Sequence, residues 1–196
     1  VTKPNLTVTS DGQTKIYGDV FPNANFTGSI VGLKAGDVIT ATYSSAGEPA
    51  NANVGSYPIP IALNDPGGRL ANYTLIQNVG NLTVVRRDLT VVADDLSKVY
   101  GAPITLTGTV TGVQPGDNIT FTYSSPGTPL TASVGTYSIA ITMSDPGNRI
   151  GNYNYTATPG TLTVTPRTLV VTPDDKSKQY GTWFLAFTGT ITGIQN

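Results

Sequence analysis

The stretch LTVVADDLSKVYG, residues 89–101, is the key to the fold of this protein because it recurs along the chain. An earlier copy, LTVTSDGQTKIYG, occupies residues 6–18, and a later copy, LVVTPDDKSKQYG, occupies residues 169–181. The Tyr-Gly pairs that close the three copies begin at positions 17, 100 and 180. Recurrence at a nearly constant spacing is typical of tandem modules, each of which is one supersecondary unit.

Other short motifs recur in step with this spacing. They are TYSS at 42–45 and 122–125, VGSY at 54–57 with VGTY at 134–137, DPGGR at 65–69 with DPGNR at 145–149, and NY at 72–73 and 152–153. The sequence therefore predicts a first repeat at residues 1–86 and a second at 87–166. Residues 167–196 are predicted to be the start of an incomplete third repeat, and the chain to be an internal piece of a longer protein.

Within each repeat, apolar residues alternate with small or polar ones, as Tyr57, Ile59 and Ile61 show. A period of two indicates strands with one buried face, as in antiparallel sheets. In the first repeat, strands are expected near residues 6–10, 14–17, 26–31, 37–44, 55–63, 72–76 and 81–85. The predicted fold class is all-β: modules of about 80 residues arranged end to end, each a small antiparallel unit that is sandwich-like or β-grasp-like. A short helical turn is expected only at 32–37 and 112–117.

Two prolines mark one strand of the first repeat. Pro58 and Pro60 are two residues apart, so the N–H groups that they lack would have pointed to the same side of the strand. That side cannot carry a regular ladder, which predicts an open or bulged edge. The second repeat has Ser138 and Ala140 at these positions.

The composition excludes several classes of function. The chain has no His and no Cys, which removes His-dependent nucleophiles, zinc clusters and disulfides. A net charge of -1, with 11 scattered cations, does not suit a nucleic-acid partner. No apolar run reaches the roughly 20 residues of a membrane span. We therefore expect no enzyme, no catalytic residues, no nucleic-acid partner and no membrane span.

The motif combination resembles the MBG domain of the Tyr-Gly type. Residues 94–101 (DDLSKVYG) and 160–164 (GTLTV) carry the resemblance most clearly, whereas residues 10–12 (SDG) depart from it in the first repeat. Such modules occur in tandem in very large bacterial surface and secreted proteins, including adhesins. The resemblance implies a mostly-β module used in an extended extracellular stalk at the bacterial cell surface, without catalysis and without a transferable binding residue.

The Tyr-Gly pairs admit two interpretations. In the structural one, the tyrosine buries its ring and gives its hydroxyl to a neighbouring backbone group, while the glycine supplies a turn with positive φ. In the functional one, the tyrosines form an exposed aromatic row for sugar stacking. The residues concerned, which are the structural marks of the repeat, are Tyr17, Gly18, Tyr100, Gly101, Tyr180 and Gly181.

Calcium is the one cofactor that the carboxylates suggest. Hard oxygen ligands near module joints can bind calcium and stiffen a stalk. Against this, the sequence has no D-x-D-x-D loop, and an Asp before Pro-Gly is ordinary turn chemistry. The candidate ligands are Asp65, Asp94, Asp95, Asp145, Asp174 and Asp175.

Two other residue types have competing interpretations. Lys15, Lys98 and Lys178 precede each Tyr-Gly pair, and we expect solvated strand lysines whose stems cover the neighbouring tyrosine. The alternative is a Lys–Asn isopeptide cross-link made beside a buried carboxylate. Trp183 is expected to pack beside Phe184, the alternative being an exposed carbohydrate platform.

Three functions follow as hypotheses. The first is a structural spacer of a bacterial surface or secreted repeat protein, since the joint at residues 86–88 is short and free of glycine. The second is a module that binds a surface glycan or matrix protein through the loops after Tyr-Gly. The third is self-association into a filament, with residues 167–196 offering strands to a neighbour. Neighbouring repeats of the same chain are partners in all three.

Overall fold

A computed structural model describes residues 2–183 and 186–195, which fold into two compact units. Unit 1 consists of Val1–Thr90, Thr111–Ile119 and Asp145–Thr156, and unit 2 consists of Val91–Val110, Thr120–Ser144 and Ala157–Asn196. Unit 1 thus contains the first repeat and three segments of the second, at 87–90, 111–119 and 145–156. The boundaries of the two compact units therefore differ from those of the sequence repeats.

The described residues form strands joined by turns. The strands of the first repeat are β1 (Asn5–Ser10), β2 (Gln13–Ile16), β3 (Gly28–Val31), β4 (Thr40–Tyr43), β5 (Gly55–Pro58), β6 (Ile61–Asn64), β7 (Thr74–Asn78) and β8 (Asn81–Val85). Those of the second are β9 (Arg87–Ala93), β10 (Leu96–Val99), β11 (Gly108–Thr111), β12 (Thr120–Ser124), β13 (Gly135–Ser144), β14 (Tyr153–Thr158) and β15 (Gly160–Thr165). Residues 167–196 contribute β16 (Val170–Pro173) and β17 (Gly189–Thr192). The all-β prediction is confirmed. Among the described residues, no helix has the length and apolar character that a membrane span requires.

The sheets of unit 1 are mixed rather than purely antiparallel. Strand β1 pairs antiparallel with β3 and parallel with β7. Strand β8 pairs parallel with β2 and antiparallel with β5, and β4 forms an antiparallel pair with β6. The parallel pairs arise because the last two strands of the repeat lie beside the first two and run in the same direction. Period-two alternation reports which face is buried, and does not report strand direction.

Unit 2 repeats part of this pattern. Its main sheet has the order β10-β15-β13-β12, in which β10 and β15 are parallel and the other pairs are antiparallel. A separate antiparallel pair joins β16 to β17.

The cores are small and lie where the alternation predicts them. In unit 1, Leu6 and Val8 of β1 are buried, while Leu82 of β8 belongs to a second cluster of buried residues. In unit 2, Ile139 and Leu162 are fully buried and pack with neighbouring apolar side chains. Each fully buried leucine contributes about 2 kcal/mol through removal of its apolar surface from water.

The two prolines interrupt their strand. Strands β5 and β6 are separate, whereas β13 runs without a break through the equivalent positions, which hold Ser138 and Ala140. Strand β5 lies at the edge of its sheet, as predicted from Pro58 and Pro60. The second repeat has no proline at these positions, so one strand serves both of its neighbours, β15 and β12.

The short helical turns do not lie where the sequence predicted them. Single 3₁₀ turns occur at Asn23–Asn25, Leu70–Asn72 and Ile150–Asn152, and none lies at 32–37 or 112–117. The second of these turns is set by Asp65, whose carboxylate accepts the N–H groups of Arg69 and Leu70 at 3.0 and 2.7 Å. The capping carboxylate therefore selects the turn, and the glycine-flanked segments form tight turns instead.

Candidate functional site

The first Tyr-Gly pair lies in a buried cluster of unit 1. Tyr17 follows β2, and its backbone N–H donates to the Val85 carbonyl at 2.9 Å. Its side chain is 0% exposed, and its hydroxyl lies 2.9 and 3.0 Å from the two carboxylate oxygens of Asp117. The prediction of a backbone acceptor is therefore wrong for Tyr17: the acceptor is a carboxylate 100 residues further along the chain.

Asp117 also accepts a second phenol. The hydroxyl of Tyr153 donates to Asp117 Oδ2 and itself accepts the N–H of Gln114 at 2.9 Å. The rings of Tyr17 and Tyr153 are edge to face, with centroids 5.5 Å apart and planes at 79°. Because Asp117 is only 7% exposed, its charge is compensated by these two phenols rather than by water. We call Tyr17, Asp117 and Tyr153 the tyrosine clasp.

Amide and guanidinium hydrogen bonds surround the clasp. The buried side chain of Asn152 accepts the N–H of Val54 at 2.9 Å and donates to Asn53 Oδ1 at 3.1 Å. Arg149 donates to the same Asn53 oxygen at 2.9 Å. These bonds join residues of the first repeat to residues 145–156, which belong to the same compact unit.

Arg86 adds a further bond from the joint itself. Its Nε donates to the carbonyl of Gly151 at 3.1 Å, across 65 residues of sequence. Residues 86–88 are therefore held by side-chain contacts as well as by their short length.

Gly18 has two reasons to be glycine. Its φ of +91° is one that other residues rarely adopt, and a Cβ there would overlap the side-chain oxygen of Gln114. The guanidinium of Arg87 lies beside it and donates to the Tyr17 carbonyl at 3.3 Å. The prediction of positive φ is confirmed for all three glycines of the Tyr-Gly pairs.

Unit 2 holds a similar arrangement around the second Tyr-Gly pair. A Cβ on Gly101 would overlap the side-chain oxygen of Gln195, to which Arg167 donates at 3.0 Å. The three residues match Gly18, Gln114 and Arg87 of unit 1. The same local packing is therefore used twice.

Burial and the shared carboxylate change the acidity of both clasp tyrosines. The pKa of Tyr17 is raised, first by burial and then by its hydrogen bond to Asp117. The pKa of Tyr153 is raised for the same two reasons, in the same order. A phenolate beside a buried carboxylate would place two like charges together, so the folded state keeps both phenols protonated.

Alkaline pH is therefore expected to destabilise the fold. Both pKa values are higher in the folded state, so the folded chain binds more protons than the unfolded chain above a pH of about 10. The stabilisation is complete below that pH and is lost as the pH rises through the folded pKa values. Urea unfolding at several pH values should show a steeper loss of stability for the wild type than for Tyr17→Phe. Equal slopes would contradict the clasp.

The other two repeat tyrosines lie in different surroundings. Tyr100 is half-buried, and Tyr180 is fully exposed at 106%. The structural interpretation of the Tyr-Gly pairs therefore holds for the ring of Tyr17 and fails for that of Tyr180. Asp117 and Tyr153 were not recognised as site residues from sequence, although Tyr153 lies in the recurring Asn-Tyr motif.

The lysines before the first two Tyr-Gly pairs are buried, contrary to the prediction. Lys15 is 6% exposed, and its amine donates to the carbonyls of Asp19, Glu48 and Pro49 at 2.9, 3.0 and 2.5 Å. Burial lowers the pKa of this amine. Each carbonyl oxygen gains a charged donor, so the amine fastens a loop to the strand. Its contacts are to backbone carbonyls rather than to the Asn side chain that an isopeptide bond needs.

The second lysine is buried and bonded to carbonyls in the same way, whereas the third is exposed. Lys98 is also 6% exposed and donates to the carbonyls of Thr128 and Pro129 at 2.8 and 2.7 Å. Lys178 is exposed and lies 3.5 Å from the Thr182 carbonyl. The prediction of a solvated lysine is therefore correct only for Lys178.

The candidate calcium ligands take part in local hydrogen bonds. Asp145 caps its turn as Asp65 does, accepting the N–H groups of Arg149 and Ile150 at 2.9 and 2.8 Å. Asp95 accepts both the hydroxyl and the N–H of Thr161 at 2.7 Å, which lowers the pKa of its carboxyl. Asp94 and Asp174 accept threonine hydroxyls, and Asp175 lies beside Asp174 in an exposed segment.

These carboxylates are not gathered into one site. Among residues 2–183 and 186–195, no group of three or more metal-ligating side chains is close enough to hold an ion. Calcium binding therefore stays a prediction, to be tested in solution.

Comparisons with known proteins identify the repeat. No curated protein matches the chain. The family model described as the MBG domain of the YGX type matches residues 6–83 and again residues 89–163. These two ranges cover most of the sequence and contain the first and second Tyr-Gly pairs. The chain therefore belongs to the MBG domain family of the YGX type and carries two tandem copies of the domain.

Proposed function

We propose that this chain is a structural spacer of a bacterial cell-surface or secreted repeat protein, in which consecutive modules are fastened to one another. The observation that carries the proposal is the tyrosine clasp, since it joins a residue of the first repeat to two residues of the second through buried contacts. Membership of a tandem-repeat family agrees with this role. Repetition of one module adds length without new chemistry.

The contacts around the clasp support a stiff joint. Asn53, Val54 and Arg86 of the first repeat all bond to residues 149–152 within unit 1. Several independent bonds resist bending better than one, because each must break before the joint can rotate. A spacer needs this stiffness, whereas a flexible tether would not.

Small-angle scattering tests the spacer. The wild-type chain is expected to give a narrow distribution of interatomic distances, and a variant that combines Asp117→Ala with Asn152→Ala a broader one. The double variant removes both the clasp and the bond to Val54. The same broad distribution for the wild type would contradict the proposal.

We expect this stiffness not to depend on calcium. Because five of the six candidate carboxylates already accept protein hydrogen bonds, we expect the melting temperature to be the same in calcium and in chelator. Differential scanning calorimetry over both conditions measures this. An increase of several degrees with calcium would show a binding site and would assign the joints a metal-dependent stiffness.

A second candidate function, recognition of a glycan, is favoured by one observation. Trp183 is 90% exposed, so it does not pack against the residues that the structure describes. Phe184, its predicted partner, lies outside those residues. An exposed indole offers a flat apolar face to a sugar ring. Binding of the chain to immobilised glycans and matrix proteins, lost in Trp183→Ala, would favour this function over the spacer.

Self-association through the third repeat is the remaining candidate. Leu169, which precedes β16, and Val171, which lies in β16, are both more than half exposed. Strand β16 pairs only with β17 among the described strands. By comparison, β1 has a neighbour on both sides. A strand added to β16 would complete this pattern. Sedimentation velocity over a range of concentrations would detect the resulting oligomers.

A further inference from the structure

The first repeat carries a second copy of the acceptor half of the clasp. Asp117, Asn152 and Tyr153 have counterparts of identical type at the equivalent positions of the first repeat, namely Asp37, Asn72 and Tyr73. Arg69 is likewise the counterpart of Arg149. The residues that receive Tyr17 in the second repeat thus all have equivalents in the first.

The two acceptor groups have the same internal geometry. The Tyr73 hydroxyl donates to Asp37 Oδ2 at 2.5 Å and accepts the N–H of Lys34 at 3.0 Å. In the clasp, Tyr153 makes the equivalent bonds to Asp117 and to the N–H of Gln114, the latter at 2.9 Å. The carboxylate and phenol of the first repeat are therefore already in the arrangement that binds a tyrosine.

The two groups differ in exposure. Asn72 is exposed where Asn152 is 6% exposed, and the Asp37 side chain keeps 22% of its surface where Asp117 is buried. The surface that is buried in one and open in the other is the surface that Tyr17, Asn53 and Val54 cover. An open cavity of about 570 Å³ lies at this place, lined by Asp37, Asn72, Tyr73 and residues 2–4 and 34.

The charges also fit a tyrosine-bearing partner. Arg69 lies 3.8 Å from Asp37 in an exposed ion pair, whereas its equivalent Arg149 donates to Asn53. The Asp37 carboxylate has one phenol donor where Asp117 has two. The Asp117 group therefore differs from the Asp37 group by a second phenol, that of Tyr17, and by the side-chain amide of Asn53, which accepts from the arginine.

We propose that the Asp37–Tyr73 cavity is a docking site for the Tyr-Gly end of another module of this family. The incoming tyrosine donates its hydroxyl to Asp37, and the loop equivalent to Asn53–Val54 covers Asn72 and Arg69. The occupant is a module placed ahead of the first repeat in the same chain, because the clasp within unit 1 has this order. The inference rests on the proposed function, in which modules are fastened end to end.

An extended chain tests the proposal. Residues 1–88 are added ahead of Leu6, so that the joint repeats Arg86-Arg87-Asp88 before a leucine, as in the native chain. Asp37→Asn is then made in the native and in the extended chain, and thermal unfolding is followed. The substitution is expected to lower the midpoint by about 5 °C more in the extended chain than in the native one. Tyr17→Phe in the added copy should abolish this difference.

The possible outcomes separate the two proposals. An equal effect of Asp37→Asn in both chains would overturn the docking site, since Asp37 would then act only within its own repeat. Self-association of the native chain that Asp37→Asn abolishes would overturn the assigned occupant and identify a second copy instead. Asp117→Asn in the native chain is the reference. If Asp117→Asn does not change the unfolding midpoint of the native chain, the proposed function fails. If Asp117→Asn lowers that midpoint but Asp37→Asn does not lower the midpoint of the extended chain, only the docking site fails.

Discussion

Asp117→Ala is expected to lower the free energy of unfolding by about 3 kcal/mol, because two buried phenols lose their acceptor at once. Tyr17 is 0% exposed and Tyr153 is 4% exposed, so water cannot replace the carboxylate without opening the cluster. Urea unfolding monitored by circular dichroism measures the effect.

The first repeat supplies a matched control. Asp37→Ala removes an equivalent carboxylate that has one phenol donor and partial access to water. Its expected cost is about 1 kcal/mol, the usual value for one hydrogen bond. Equal costs for the two substitutions would show that the second phenol and the deeper burial of Asp117 contribute nothing, and would contradict the clasp.

Lys98→Met is expected to cost about 3 kcal/mol, since the two carbonyls of Thr128 and Pro129 lose charged hydrogen bonds in a site that is nearly closed to water. Methionine keeps most of the length and apolar character of the stem, so the substitution isolates the amine. The loop that contains Thr128 and Pro129 should detach from β10 first, because the amine is bonded to both residues.

Hydrogen exchange and equilibrium unfolding check this second result. The amides of residues 128–132 should lose protection in Lys98→Met, and the unfolding midpoint should fall. Lys178→Met is the control, because that amine is exposed and lies 3.5 Å from a single carbonyl. A change of less than about 0.5 kcal/mol is expected there. The same small change for Lys98→Met would mean that the buried amine does not fasten the loop.

The repeat and its strands follow from local information. Leu82 and Val84 alternate with exposed neighbours, which indicates a half-buried strand. The Tyr-Gly pair indicates the turn at the end of the strand that precedes the pair. Both signals depend on neighbouring residues only, and their recurrence at a nearly fixed spacing made a chance pattern untenable. For the same reason, Pro58 and Pro60 correctly indicated an edge strand.

The roles of polar residues did not follow from sequence. A lysine in an alternating strand is usually solvated, and only the fold shows that the loop at Glu48 and Pro49 passes over Lys15 and supplies its carbonyls. The parallel pairing of β1 with β7 was missed because alternation has no direction.

Sequence alone was enough to predict an all-β chain of tandem modules of the Tyr-Gly type, most of its strands and the positive φ of the Tyr-Gly glycines, whereas it placed the short helical turns wrongly. What the repeat marks do became visible only in the folded chain. Tyr17 finds Asp117 across 100 residues, and an identical Asp37 does not receive it. A hydrogen bond between distant residues depends on which segments the fold brings together, and the residues next to each partner in the sequence do not determine this.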